Sequence, residues 1–164
     1  MVIPTQPTRR LGELLVQRRL ITPGQLEQAL LQQRSTREFL GMIIVRMGLI
    51  KPEALLVTLS EQFGLPHESL RSERVDWSIA KQFPKSALSE GRCFPIRADA
   101  ESVTVAIANP LDAWALSAIE QAAGFRKVKA VLVLEKELQD VLARYHQQSL
   151  QTIEAQLKHD DKTQ

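Results

Sequence analysis

Residues 10–33 read RLGELLVQRRLITPGQLEQALLQQ, and residues 39–62 read FLGMIIVRMGLIKPEALLVTLSEQ. Laid over the first stretch with a shift of 29 residues and no gap, the second agrees with it in chemical class at no fewer than ten positions. A repeat of fixed period sets the architecture of a chain. Because two copies are too few for a solenoid, they suit a ligand or partner that itself has two similar halves.

Each copy is predicted to fold into a short helix followed by a longer one. In the first copy, Thr22 is suited to cap the longer helix, Pro23 fits its first position, and Gln25 can reach back to complete a capping box. Gly48 occupies the left-handed position after the second short helix, where the first copy has Arg19. A left-handed arginine costs about 1 kcal/mol more than glycine, so the turn at Arg19 is expected to differ in shape.

The pattern of the helical repeat ends at Leu65, and the rest of the chain is predicted to form a small α/β unit. Pro95 cannot donate to a central ladder, so the first strand is placed at the edge of the sheet. The predicted strands cover residues 92–97, 103–107 and 128–134. The predicted helices are short ones after Asp76 and over 85–90, one over 113–123, and a last helix from Glu135.

These elements predict an α+β fold with a tandem helical-hairpin repeat of four short helices, a three-stranded α/β subdomain and a long C-terminal helix. We place the tandem-repeat subdomain at 1–64, the α/β subdomain at 65–147, and a helical extension with a polar tail at 148–164. Residues 1–8 are expected to form a loose arm. The apolar stripe of the extension consists of Leu150, Ile153 and Leu157.

Charge and composition exclude some function classes. Hydrophobic and charged residues make up 44% and 24% of the chain, which is ordinary for a globular protein, and the net charge is only +2. Residues 1–62 hold eight Arg or Lys against five Glu. This mild excess favours a small anion over a long polyanion such as DNA or RNA.

Cys93 is the only cysteine, so no disulfide can form within the chain, which fits a reducing compartment. The start lacks the pattern of a signal peptide, and no run approaches the length of a membrane span. We expect a cytoplasmic domain, including the case of a cytoplasmic domain of an inner-membrane protein. The polar tail resembles a natural C-terminus, which favours the end of a longer enzyme over a piece cut from an ATPase.

Catalysis is poorly supported, and we expect no enzyme activity, cofactor or metal. His67, His146 and His159 are scattered along the sequence, and His and Cys do not occur at zinc-ligand spacing. Neither a phosphate-binding loop of the G-x-x-x-x-G-K-[ST] type nor G-x-G-x-x-G is present.

The repeat has an ordinary interpretation, in which each copy is a helical hairpin whose leucines form the core. Three details favour a ligand instead. Glycines in both copies remove a Cβ near free backbone N–H groups, which admits an anion or a planar ring. Gln33 and Gln62 place amides on an apolar face, which is costly unless they find partners. Arg10 can stack on a purine or bind a phosphate.

The tandem motif resembles the MshEN domain, found at the N-terminus of type II secretion and type IV pilus ATPases and attached to other bacterial proteins, including membrane glycosyltransferases. The resemblance implies binding of the second messenger cyclic di-GMP, with no other cofactor. It assigns one half of the ligand to Arg10, Leu11, Gly12, Leu26, Leu30 and Gln33. It assigns the other half to Leu40, Gly41, Leu55, Leu59 and Gln62.

Several residues depart from the family pattern or have two interpretations. Phe39 replaces the arginine of the first copy and is counted as a ligand-binding residue that can stack on a base. Arg19 replaces the motif glycine, and Met42 replaces a residue that is often polar. Asp112 resembles an acidic residue that reaches the ligand, although it is equally suited to be a helix N-cap.

The resemblance also implies partners. The first is the rest of a parent protein, either an ATPase or a glycosyltransferase, and a further candidate is a component of the inner membrane. The alternative function is therefore a protein-docking module that does not bind nucleotide.

Overall fold

A computed structural model describes residues 10–71, 75–84, 88 and 92–160, with the side chains of 113–116 and 152–160 excepted. The N-terminal arm at 1–8 and all but residue 88 of the helical turn expected at 85–90 lie outside this part. The described elements confirm an α+β fold. The helices are α1 (Leu11–Gln17), α2 (Pro23–Thr36), α3 (Leu40–Arg46), α4 (Pro52–Phe63), α5 (Trp77–Ala80), α6 (Ala113–Ala123) and α7 (Glu135–Asp160). The strands are β1 (Cys93–Ala98), β2 (Ser102–Ile107) and β3 (Lys127–Leu132).

The two copies of the repeat pack into one four-helix unit. Helix α1 contacts α2, α3 and α4, and α3 contacts α1, α2 and α4. The short helices therefore lie at the centre, and each long helix packs against the short helices of both copies. The predicted capping box is present, because Thr22 Oγ1 accepts from Gln25 N at 3.2 Å and Gln25 Oε1 accepts from Thr22 N at 2.8 Å.

The turns after the two short helices have the same shape, so the expected difference at Arg19 is wrong. Arg19 has a φ of 57° and Gly48 a φ of 71°. Arg19 N donates to Val16 O at 2.9 Å, and Gly48 N donates to Val45 O, also at 2.9 Å. The packing of the short helices imposes the same left-handed turn on both residues, and the arginine adopts it at a conformational cost.

The three strands form one mixed sheet in the order β1-β2-β3. Strand β1 pairs antiparallel with β2, and β2 pairs parallel with β3 through the crossover helix α6. The prediction of an edge position for β1 is confirmed. The register shifts between Pro95 and Arg97, which is a bulge beside the residue that lacks an N–H.

Helix α7 begins on the sheet and continues beyond it. Leu138, Val141 and Leu142 are buried against the α/β core, whereas Leu150 is 62% exposed. The side chains of Ile153 and Leu157 lie outside the described part, so the apolar stripe of the extension stays a prediction. Among the described residues, no helix combines the length and the apolar character needed to cross a membrane.

The described core is one cluster of buried side chains that includes Leu15 and Ile43 from the repeat and Phe94 and Leu132 from the sheet. The segment after α4 joins the two halves. Leu132 N donates to Pro66 O at 2.9 Å, and Glu68 N donates to Leu132 O at 3.0 Å. The division into subdomains at residues 64 and 147 remains a prediction.

Candidate ligand-binding site

Each glycine of the tandem motif lies directly beneath a leucine of its own copy. A Cβ atom on Gly12 would come 2.5 Å from Cδ1 of Leu26, and one on Gly41 would come 2.8 Å from Cδ1 of Leu55. The sequence interpretation left this space open for a ligand. The structure fills it with leucine, so the missing Cβ is explained by close packing of the long helix on the short one.

The glycine of the second copy also contacts the first copy. Cδ2 of Leu11 would lie 3.4 Å from a Cβ on Gly41. Gly41 is therefore covered from both copies, by Leu11 and by Leu55. The motif assigns Leu11 to the first half-site and both Gly41 and Leu55 to the second, so this contact joins the two half-sites.

The two glutamines take up positions near the ends of the long helices. Nε2 of Gln33 donates to Glu38 O at 3.0 Å, which ties the end of α2 to the chain just before Phe39. Gln62 is half-buried. The amide of Gln33 thus has a backbone partner, as an amide on an apolar face requires.

The matched leucines differ in burial between the copies. Leu30 is 38% exposed, whereas its counterpart Leu59 is 6% exposed. Leu26 is half-buried, whereas its counterpart Leu55 is 8% exposed. The face of α2 in the first copy is therefore accessible to a ligand, while the matching face of α4 belongs to the core.

Arg10 and Phe39 hold equivalent positions before the two short helices. Their backbone angles are similar, with φ/ψ of −74°/146° at Arg10 and −67°/135° at Phe39. Both side chains are exposed, and Leu40 beside Phe39 is half-buried. The carboxylate of Glu13 accepts a hydrogen bond from Arg10 N at 3.4 Å, and the matching residue in the second copy is Met42.

Asp112 lies in the α/β half, in the loop between β2 and α6. Its Oδ2 is 3.4 Å from Nη1 of Arg92. Burial and, to a smaller extent, the charge of Asp112 raise the pKa of Cys93 to about 12. The acidic group therefore has partners of its own in the α/β half, and its role toward a ligand stays a prediction.

Two features of the repeat were not predicted from the sequence. Arg18 at the end of α1 forms an ion pair with Glu61 in α4, which joins the two copies. Met42 is exposed beside Phe39. The shift of 29 residues could have shown that Phe39 and Met42 together replace Arg10 and Glu13, but the pairing of Arg18 with Glu61 depends on tertiary packing.

Within the described part of the chain, no cluster of three or more His, Cys, Asp or Glu could hold a metal ion.

The fold and the site define a tandem helical repeat fused to a small mixed sheet. Comparisons of the chain with known proteins identify its family. A family model for the MshEN domain matches residues 63–152. A solved structure described as MshE with cdg superposes with a TM-score of 0.74 at 30% sequence identity, covering 84% of this chain and 99% of that one. The chain belongs to the MshEN domain family. The family model matches the half that follows the tandem motif, so separate parts of the chain point to one family.

Named relatives include the type IV pilus assembly ATPase PilB of Myxococcus xanthus, 29% identical over 84% of this chain. Bacteriophage adsorption protein B of Escherichia coli K12 is 31% identical over 82% of this chain. The chain spans only 24% and 18% of the lengths of these two relatives. The N-terminal domain of XpsE, at 22% identity and a TM-score of 0.62, shares the fold. Family membership makes this chain a regulatory rather than a catalytic domain.

Proposed function

We propose that this chain is a cyclic di-GMP sensor domain of a larger bacterial protein. The observation that carries the proposal is its similarity to MshE with cdg, the abbreviation of cyclic di-GMP, over 99% of that chain. At 30% identity, this likeness extends to the sequence as well as the fold.

The geometry of the repeat supports this ligand. Cyclic di-GMP has two guanines and two phosphates related by a two-fold axis. The chain offers two copies of one helix pair, in which Gly12 lies under Leu26 and Gly41 lies under Leu55. A ligand with two similar halves can place one half on each copy, with the more exposed leucine face on α2 of the first copy.

Each proposed ligand residue has a role that follows from its chemistry. Leu26 and Leu30 pack on a purine, with a gain of roughly 25 cal/mol for each Å² of apolar surface buried. Arg10 binds a phosphate or stacks on a guanine. Gln33 reads a guanine edge, and its bond to Glu38 O holds the amide in position. In the second copy, Leu40 and Gln62 are half-buried and can reach the ligand, whereas Gly41, Leu55 and Leu59 support this half-site from the core.

The proposal assigns the output to the protein to which the domain is attached. The relatives carry this domain beside an ATPase or an adsorption-protein module. A ligand shifts a conformational equilibrium only by the difference in its affinity for the two states. Cyclic di-GMP therefore regulates the attached module to the extent that it prefers one placement of the two repeats relative to the α/β half.

Calorimetric titration of the purified chain tests the proposal. We expect saturable one-to-one binding of cyclic di-GMP at micromolar affinity or better, with flat heats for GTP and cyclic di-AMP. Arg10→Ala and Gln33→Ala should each weaken binding at least about tenfold, equivalent to about 1.4 kcal/mol. Arg34→Ala changes an exposed residue next to Gln33 and is the matched control. Flat heats for cyclic di-GMP, together with an unchanged melting temperature, would overturn the proposal.

A further inference from the structure

Two large apolar side chains are exposed at the start of the second copy of the repeat. Phe39 is 42% exposed and Met42 is 43% exposed. The first copy has Arg10 and Glu13 at the same positions, and both are exposed. The first copy builds the same backbone around two charged residues, so the fold does not require apolar side chains here.

The two side chains are neighbours on the border of the proposed nucleotide site. Phe39 is the N-cap residue of α3, and Met42 N donates to Phe39 O at 3.0 Å, so the two residues lie close together. The hydrogen bond from Gln33 to Glu38 O places the end of α2 beside Phe39. Leu11 of the first copy reaches Gly41, which lies between Phe39 and Met42 in sequence. The pair therefore lies at the start of α3, next to the end of α2 and to the backbone where the two copies meet.

We infer that Phe39 and Met42 form an apolar platform on which one purine of the bound cyclic dinucleotide stacks. This inference rests on the proposed function and adds that the two copies hold their halves of the ligand by different interactions. The first copy holds its half of the ligand with the guanidinium of Arg10. The second copy holds its half through the aromatic face of Phe39 and the polarisable thioether of Met42.

The contributions of Arg10 and Phe39 to affinity should differ in their dependence on salt concentration. Contacts between an exposed guanidinium and an anion are screened by salt, with a Debye length of about 10 Å at 0.1 M and about 3 Å at 1 M. Stacking of a base on an aromatic side chain does not depend on a net charge. The contribution of Arg10 to affinity therefore falls as salt rises, whereas that of Phe39 does not.

The test is calorimetric titration of cyclic di-GMP into the whole chain and its variants at 0.1 M and 0.5 M salt. Alanine replacement of a stacking aromatic costs a base-binding site about tenfold in affinity. We expect Phe39→Ala to lose about tenfold at both salt concentrations, and Phe39→Trp to bind within about threefold of the wild type. Phe125→Ala is the control, because Phe125 is fully exposed in the α/β half, outside the proposed site.

A second readout reports stacking directly. A guanine stacked on the tryptophan of Phe39→Trp should quench its fluorescence, measured as the difference from the wild type titrated in parallel. If the wild type binds cyclic di-GMP but Phe39→Ala binds equally well, the platform is wrong and the proposed function stands. If Phe39→Trp binds without quenching, the platform is again wrong. If the wild type does not bind, both proposals fail together.

Discussion

Leu55 lies so close to Gly41 that a Cβ atom on the glycine would come within 2.8 Å of its Cδ1 atom. The first copy repeats this contact between Leu26 and Gly12 at 2.5 Å. The two pairs differ in freedom, because Leu55 is 8% exposed while Leu26 is only half-buried. A buried leucine has no room to turn away, so the same added methyl group should have different effects in the two copies.

We therefore expect Gly41→Ala to lower the free energy of unfolding by about 1 kcal/mol. Overpacking costs about 1–3 kcal/mol, and alanine returns about 1 kcal/mol of helix propensity. Gly12→Ala should cost less than about 0.5 kcal/mol, because Leu26 can rotate toward solvent. Urea unfolding measures both. Gly24→Ala, where nothing lies within 4 Å, is the control and should not destabilise the chain. Equal losses at Gly12 and Gly41 would contradict the difference in freedom.

The left-handed turns give a second prediction. Arg19→Gly should raise the free energy of unfolding by about 1 kcal/mol, because glycine adopts a positive φ without steric cost. Gly48→Ala, at the matching position, should lower it by a similar amount. Arg19→Ala separates the backbone effect from loss of the charge and should be close to neutral. Thermal unfolding monitored by circular dichroism measures all three, and a destabilised Arg19→Gly would argue against a conformational cost at this turn.

The sequence predicted those features that depend on neighbouring residues. Thr22 and Gln25 form the expected capping box, Gly48 ends the expected helix, and Pro95 lies in the edge strand. The prediction at Arg19 was wrong because the shape of this turn depends on tertiary packing rather than on neighbouring residues. Local preference disfavours a left-handed arginine by only about 1 kcal/mol, and the packing of the short helices outweighs it.

The exposure of the site residues also could not be predicted from the sequence. The repeat makes Leu30 and Leu59 equivalent in sequence, and no local pattern distinguishes them. Leu59 belongs to the cluster of buried side chains that continues into the sheet, whereas Leu30 remains 38% exposed. Burial depends on tertiary packing, so the motif residues could be predicted from the repeat but their accessibility could not.

The ion pair between Arg18 and Glu61 provides a third prediction. Both side chains are partly exposed, at 38% and 51%, so the pair should contribute about 0.2–1 kcal/mol. A double-mutant cycle with Arg18→Ala and Glu61→Ala measures this coupling free energy. It should fall toward zero in 0.5 M salt, because exposed charges are screened. Coupling that persists in salt would show a contact other than a charge pair between the two copies.

The thiol of Cys93 gives a prediction about pH. Burial, with a smaller effect from Asp112, raises its pKa to about 12 in the folded chain, whereas an unfolded cysteine titrates near ~8.5. Above that pH the unfolded thiol loses its proton while the folded thiol keeps it, so ionisation favours the unfolded state. The stabilising contribution is complete below the unfolded pKa and is lost as pH rises toward the folded pKa.

Between pH 9 and 11, the wild type should therefore lose about 1 kcal/mol of stability per pH unit relative to Cys93→Ala. Cys93→Ala is less stable at neutral pH because it leaves a cavity, so the two unfolding curves should converge as pH rises. Urea unfolding at several pH values measures the difference. At pH 8 the native thiol should also react with a thiol reagent far more slowly than the thiol of the urea-unfolded chain. Rapid modification of the folded protein, or a constant gap between the two curves, would show that Cys93 ionises in the native state.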